Sequence, residues 1–179
     1  MGKVFHSAEP YKRLKRLAES IDALADKDQR FLNRAREVAA ARCRAAATLH
    51  AICFSFVNAV NRLLSHVELE LDPPDFNDDA FREDGMNLFQ INVRGRILQI
   101  EFRATDELTS TEEFRVPYTL KGAIHCFNQE LLDRNEVEEQ LIFYTLERDR
   151  KMWWFFDART YRSGPFDQDY LISLMEQLI

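Results

Sequence analysis

Glycine and proline are scarce in this chain, and one long stretch contains neither. The 179 residues include five glycines and five prolines, and none of these lies between Tyr11 and Asp72. Because glycine and proline mark turns and breaks, their low number argues against a disordered chain and against a sandwich of many short strands. The stretch that lacks them is suited to long helices.

Cysteine and long apolar runs are also rare. Cys43, Cys53 and Cys126 are an odd number without the spacing of a disulfide framework, which favours buried thiols in a reducing compartment. No signal-peptide pattern occurs near Met1, and the most apolar stretch, residues 45–60, is shorter than a bilayer span and contains polar side chains. We therefore expect a cytoplasmic protein that does not cross a membrane.

Motifs for catalysis and metal binding are missing as well. The chain has no serine in a nucleophile turn and no glycine-rich phosphate loop. Cys43, His50 and Cys53 would share one face of a helix, but their spacing is far from that of known zinc sites, and cysteine is often buried without a ligand. We predict a protein that is not an enzyme and has no cofactor and no metal, although the sequence leaves open whether these three residues ever bind one.

The strongest pattern present is an apolar stripe whose members recur at steps of three and four. This spacing is that of a coiled-coil repeat and predicts helices whose purpose is packing. Asp28 and Arg42 interrupt it. The stripe comprises Leu14, Leu17, Ile21, Leu24, Asp28, Phe31, Ala35, Val38, Arg42, Ala45, Leu49, Ile52, Phe56, Ala59 and Leu63.

The stripe fits either one continuous helix or a helical hairpin. The absence of glycine and proline favours a single helix of about 55–60 residues, roughly 85 Å long. Asp26 and Asp28 are good helix caps, and helices of that length are rare in small domains. We favour the hairpin, with helices near residues 8–25 and 28–65, over the single helix.

The period of the pattern changes from helical to alternating after Val67. Val67, Leu69 and Leu71 alternate with glutamates, which predicts a strand with one exposed face. A two-residue turn at Arg94-Gly95 predicts a hairpin that pairs Val93 with Arg96. The same register places Phe89, Ile91, Leu98 and Ile100 on one face.

Three further strands and a helix complete the prediction. After a polar loop at residues 105–112, one strand covers about 114–126, with Tyr118, Leu120, Ile124 and Cys126 on one face. Pro117 marks an edge position or a bulge in it. Two more strands, at about 141–147 and 152–159, are apolar on both sides and therefore central. Asp167 caps a final helix that buries Leu171, Leu174, Met175 and Leu178.

These elements define an α+β fold. It has a long N-terminal helix or helical hairpin, an antiparallel sheet of about five to six strands and a C-terminal helix. We assign residues 1–66 to the helical part, which packs on a body formed by residues 67–179. Charge divides the same way: residues 1–64 hold 12 Lys/Arg against 6 Asp/Glu, and residues 65–179 hold 12 against 24.

The stripe, the charge division and the missing catalytic motifs favour an intracellular protein–protein interaction module. We predict that it is a homodimer that associates through its N-terminal helices, with an additional protein partner still unknown. Arg42 and Asp28 lie fourteen residues apart, which favours pairing between two chains. The predicted interface consists of Leu14, Leu17, Ile21, Leu24, Asp28, Ala35, Val38 and Arg42.

Two alternatives remain open. The sheet and helices could enclose a pocket for a small apolar ligand, although large aromatic side chains more often fill ordinary cores. The pocket residues would be Tyr118, Tyr144, Trp153, Trp154 and Phe155. The basic helical part could instead bind nucleic acid. The net negative charge of the whole chain argues against this alternative. The phosphate contacts would be Arg13, Arg16, Arg30 and Arg34.

Overall fold

The computed structural model describes residues 8–109, 116–128, 138–146 and 151–179. Within these ranges the chain forms two α-helices, seven strands and a single turn of 3₁₀ helix at Asp78–Ala80. The predicted strand start near Phe114 lies outside the described residues. In chain order the elements are α1 (Ala8–Asn61), β1 (Glu70–Asp72), β2 (Asn87–Val93), β3 (Arg96–Thr109), β4 (Tyr118–Phe127), β5 (Glu138–Thr145), β6 (Trp153–Asp157), β7 (Arg162–Pro165) and α2 (Gln168–Leu178).

The seven strands form one antiparallel sheet in which every strand pairs with the next strand along the chain. This confirms the predicted α+β class, with one strand more than the five to six expected. The additional strand is β7, whose sequence Arg-Ser-Gly-Pro has no apolar alternation. It forms because β6 offers a free edge to the segment that follows it.

The N-terminal region is one helix, so the favoured hairpin is wrong and the single-helix alternative holds. Helix α1 continues through Asp26 and Asp28 without a break. Both aspartates are exposed to water, where an acidic side chain costs a helix little. Since no glycine or proline is present to end the helix, two potential caps are not enough to divide it.

Contacts group the chain into two units that divide within α1, after Ala39. The predicted boundary at residue 66 concerns domain organisation and stays a prediction. In the second unit, the C-terminal part of α1 and helix α2 pack with the sheet into one core. Its fully buried members include Leu49 and Cys53 of α1, Ile100 of β3, Ile142 of β5 and Leu171 of α2.

The predicted hairpin is confirmed in detail. β2 and β3 pair with Val93 opposite Arg96, Ile91 opposite Leu98 and Phe89 opposite Ile100. Arg94 and Gly95 both have positive φ, 52° and 83°, which is the conformation of a tight hairpin turn. The side chain of Asn92 accepts a hydrogen bond from the Gly95 amide at 3.0 Å and stabilises the turn.

Two local predictions around β3 and β4 are wrong. Residues 105–109, predicted as loop, belong to β3, which resumes pairing with β4 beyond an irregularity between Ala104 and Thr109. Tyr118 does not share the face of Leu120 and Ile124, because the register shifts between Tyr118 and Leu120. Pro117 precedes β4, which lies inside the sheet, so the predicted edge position is wrong. The register irregularity described above lies next to Pro117.

The last helix and the two apolar strands agree with the sequence. The carboxylate of Asp167 accepts a hydrogen bond from the Tyr170 amide at 3.0 Å and caps α2. Leu171, Leu174, Met175 and Leu178 are buried, as predicted. β5 and β6 carry buried residues on both faces, with Ile142 in the main core and Phe143 in a smaller second cluster.

Candidate functional site

The first part of α1 exposes its apolar stripe. Asp28 and Ala35 are also exposed, and Val38 is half-buried. A single exposed leucine needs no explanation, whereas a regular series of large apolar side chains is unusual on a protein surface. The exposed fraction lies between 57% and 73% for Leu14, Leu17, Ile21, Leu24 and Phe31.

The two flanks of this stripe differ in character. In a heptad repeat with Leu14 at position a and Leu17 at position d, one flank (position e) carries Ala18, Ala25, Leu32 and Ala39. The other flank (position g) carries Arg13, Ser20, Lys27 and Arg34. The stripe is therefore bordered on one side by apolar residues, three of which are alanine, and on the other side mainly by long basic residues.

The four arginines predicted to contact phosphates are all exposed. Arg13 and Arg34 occupy position g, and Arg16 and Arg30 occupy the neighbouring position c, so the helical period places all four on one side of α1. Exposed basic residues on one side of a helix are also common on surfaces that only contact water. Nucleic-acid binding accordingly stays a prediction.

Arg42 is buried within the second unit and bonded inside its own chain. Its Nε donates a hydrogen bond to Thr119 Oγ1 at 2.7 Å. Its two terminal nitrogens donate to a Glu83 carboxylate oxygen and to the Thr105 carbonyl. Thr105 Oγ1 in turn donates to the Thr119 carbonyl at 3.1 Å. The guanidinium therefore joins α1 to β3, β4 and the loop before β2.

This network corrects the place of Arg42 in the predicted interface. Pairing with Asp28 of a second chain requires an available guanidinium, whereas all three donor nitrogens of Arg42 have partners here. The charge interrupts the stripe because it faces polar groups of the sheet. We therefore remove Arg42 from the interface, which then ends at Val38.

The five aromatic residues predicted to line one pocket lie on two faces of the sheet. Tyr144 and Trp153 belong to the main core, with Phe155 packed against it. Tyr118 belongs to the second cluster, with Trp154 packed against that one. Trp153 also donates a hydrogen bond from Nε1 to the Ala45 carbonyl at 2.8 Å. The structure therefore does not bring these five side chains together around one ligand.

Cys53, Cys126 and His50 are buried, and Cys43 is partly buried. Burial raises the pKa of the Cys53 thiol to about 12. His50 is buried, its Nε2 lies 2.8 Å from the Pro73 carbonyl oxygen, and its ring packs edge-on against Phe89 at 5.2 Å. Within the ranges described above, no group of three potential ligand residues could hold a metal ion.

Sequence reasoning missed the partners of Arg42. Glu83, Thr105 and Thr119 lie 41, 63 and 77 residues away along the chain. One signal was present, because an arginine between apolar positions of a buried helix requires compensating partners. Nothing in the sequence distinguishes those partners from the many other polar residues.

Length and composition alone would allow α1 to cross a membrane. A helix that forms the core of a soluble protein passes the same test, and Ala45, Leu49, Cys53 and Phe56 of α1 are buried in such a core. The prediction that the chain does not span a membrane stays a prediction.

Comparison with known proteins gives no relative for this chain. No family model, no curated protein and no solved structure matches it.

Proposed function

We propose that the chain is a non-catalytic assembly module that forms a homodimer by pairing the first part of α1 with the same segment of a second copy. The observation that carries the proposal is the exposed stripe from Leu14 to Phe31. Together with Ala35 and Val38 it covers four heptads, or about 37 Å of helix at 1.5 Å per residue. Repeats of this length are typical of coiled coils.

The flanks of the stripe favour a parallel pair. Antiparallel helices would place the g positions of the two chains opposite each other, and Arg13, Lys27 and Arg34 would repel their counterparts. In a parallel pair each g position faces an e position, so these basic side chains meet Ala18, Leu32 and Ala39. Their aliphatic stems can then cover the small apolar residues while their charges stay in water.

The environment of the cysteines supports a reducing compartment as the site of action. Cys43 and Cys53 are free thiols. The cytosol keeps such thiols reduced, which supports the proposal that the dimer acts in the cytoplasm.

Substitutions on the stripe test the proposal. Leu17→Lys combined with Leu24→Lys introduces four charges into the dimer contact and should abolish association in sedimentation equilibrium. The matched control is Glu19→Lys combined with Ala23→Lys, which adds lysines at positions f and c, away from the contact. Equal association constants for the two double variants would contradict the proposal.

A disulfide tests the orientation. In a parallel pair, the two copies of position 14 lie directly opposite each other near the start of the helices. Leu14→Cys should therefore give a covalent dimer on mild oxidation, whereas an antiparallel pair separates the two cysteines by most of the stripe. The wild-type chain, with its three native cysteines, is the control.

A further inference from the structure

A polar cleft of about 990 Å³ opens in the second unit, beside the Arg42 network. The end of β3, the start of β4 and the loop before β2 form its walls. Its volume lies in the range of small-molecule sites. The residues that matter for its chemistry are Arg42, Glu83, Arg103, Asp106, Tyr118 and Lys121.

Two cations lie side by side on one wall of this cleft. Arg103 of β3 and Lys121 of β4 are direct cross-strand partners in the antiparallel ladder, so their side chains leave the same face of the sheet. Like charges in such positions destabilise a sheet. Among the described residues, no carboxylate lies within ion-pairing distance of either cation, so their charges are not neutralised within this part of the chain.

The neighbouring groups leave these two charges available for a ligand. Glu83 is paired with Arg42, which satisfies its charge and fixes the loop before β2 against α1. Burial raises the pKa of the Tyr118 phenol, which stays protonated and adds no negative charge at neutral pH. Arg42, Glu83 and Tyr118 together therefore add no net charge to the lining of the cleft, whereas Arg103 and Lys121 add two positive charges.

The remaining charges limit the kind of anion. Asp84 and Asp106 also line the cleft and are exposed. They would repel a long polyanion such as nucleic acid, which presents many charges at close spacing. A compact ligand with one anionic group avoids them, and the partly exposed Met86 offers it an apolar contact.

We propose that this cleft binds a small organic anion whose phosphate or carboxylate group lies between Arg103 and Lys121. Arginine contributes a planar pair of donors and lysine a compact charge, and both suit these two anionic groups. Binding would also remove the repulsion between the two cations. The site does not depend on the dimer proposed above.

Calorimetric titration at low ionic strength tests the site. The probes are glycerol 3-phosphate and glycerate, each with one anionic group, and glycerol is the uncharged control. We expect saturable binding of at least one anion and none of glycerol. Preference between the two probes assigns the site to phosphate or to carboxylate, and the absence of saturable binding of both up to 10 mM would overturn the proposal.

Charge-removing variants locate the binding. Arg103→Gln and Lys121→Gln should each weaken the preferred anion at least tenfold. Arg96→Gln removes an exposed charge at the other end of β3 and should change binding less than twofold. Equal weakening by all three variants would show non-specific charge attraction and would refute the site. If Lys121→Gln impairs folding, the exposed Arg103 decides the question alone.

Discussion

Arg42 is the side chain whose role changes most between sequence and structure. The heptad pattern places it at an interface position, where a charge suggests register selection between chains. In the structure it is 8% exposed and has three partners from the sheet and the loop before β2. Arg42 therefore connects elements within the second unit.

Removing this guanidinium should be costly. Arg42→Ala leaves Thr119, Glu83 and the Thr105 carbonyl without their donor, and we expect a loss of about 2–3 kcal/mol in the free energy of unfolding. Chemical denaturation measures it. Arg44→Ala, two residues away and exposed, is the control and should cost less than about 0.5 kcal/mol. Similar losses for both variants would contradict the described role of Arg42.

Cys53 makes stability depend on pH in the alkaline range. Its pKa rises from the ordinary 9.0 to about 12 because the folded chain buries the thiol. Between these two pH values the unfolded chain has lost the proton and the folded chain retains it. The contribution of Cys53 to the free energy of unfolding is therefore fully present below pH 9. It falls by about 1.4 kcal/mol per pH unit between pH 9 and 12.

The Cys53→Ala variant isolates this dependence. We expect its free energy of unfolding, measured at pH 8.0, 9.5 and 10.5, to decline less steeply with pH than that of the wild-type chain. Ser55→Ala, which removes a hydroxyl from an exposed position of the same helix, should keep the wild-type slope. Parallel slopes for all three proteins would mean that Cys53 does not titrate in this way.

At the scale of elements, features that depend on local sequence patterns were predicted, whereas features that depend on pairing between distant residues were not. The β2–β3 hairpin follows from Arg94-Gly95 and the residues beside it, and α2 follows from Asp167 and its apolar stripe. β7 and the register shift at Tyr118 depend on neighbouring strands rather than on their own residues. The Arg42 network was not predicted for the same reason, because its partners are far away along the chain.

Asp28 offers a test of the stripe as an element. In a parallel pair it occupies position a opposite its own counterpart, where a polar residue costs stability and like charges add repulsion. Asp28→Leu should therefore tighten dimerisation at least tenfold in sedimentation equilibrium. Asp26→Leu, at the outer position f, should leave it unchanged. Indistinguishable effects of the two substitutions would place Asp28 outside the contact.

Gly122 tests the packing of the sheet. A Cβ atom at this position would lie 2.0 Å from the backbone oxygen of Glu101 and 2.7 Å from Phe102 Cβ. Gly122→Ala must displace a strand inside the sheet, and we expect a loss of at least about 2 kcal/mol in unfolding free energy. Gly85→Ala, whose Cβ would have ordinary contacts with Arg82, is the control. Equal midpoints in urea would contradict this account of β4.

For the molecule as a whole, the sequence predicted the fold class and the apolar stripe but not which part of the stripe is exposed. Apolar side chains recur with the same period in a helix that is buried against a sheet and in a helix that packs against a second chain. Only the structure separates the exposed members before Val38 from the buried or half-buried members between Ala45 and Ala59. The proposed interface is therefore shorter than the pattern that predicted it.

The absolute mass of the full chain, measured by light scattering during size-exclusion chromatography at several concentrations, tests the central claim most directly. One chain has a mass of 21.1 kDa. We predict twice that value at high concentration, with a decrease toward one chain on dilution and for the Leu17→Lys, Leu24→Lys double variant. A mass of one chain at every concentration would contradict self-association through the exposed stripe.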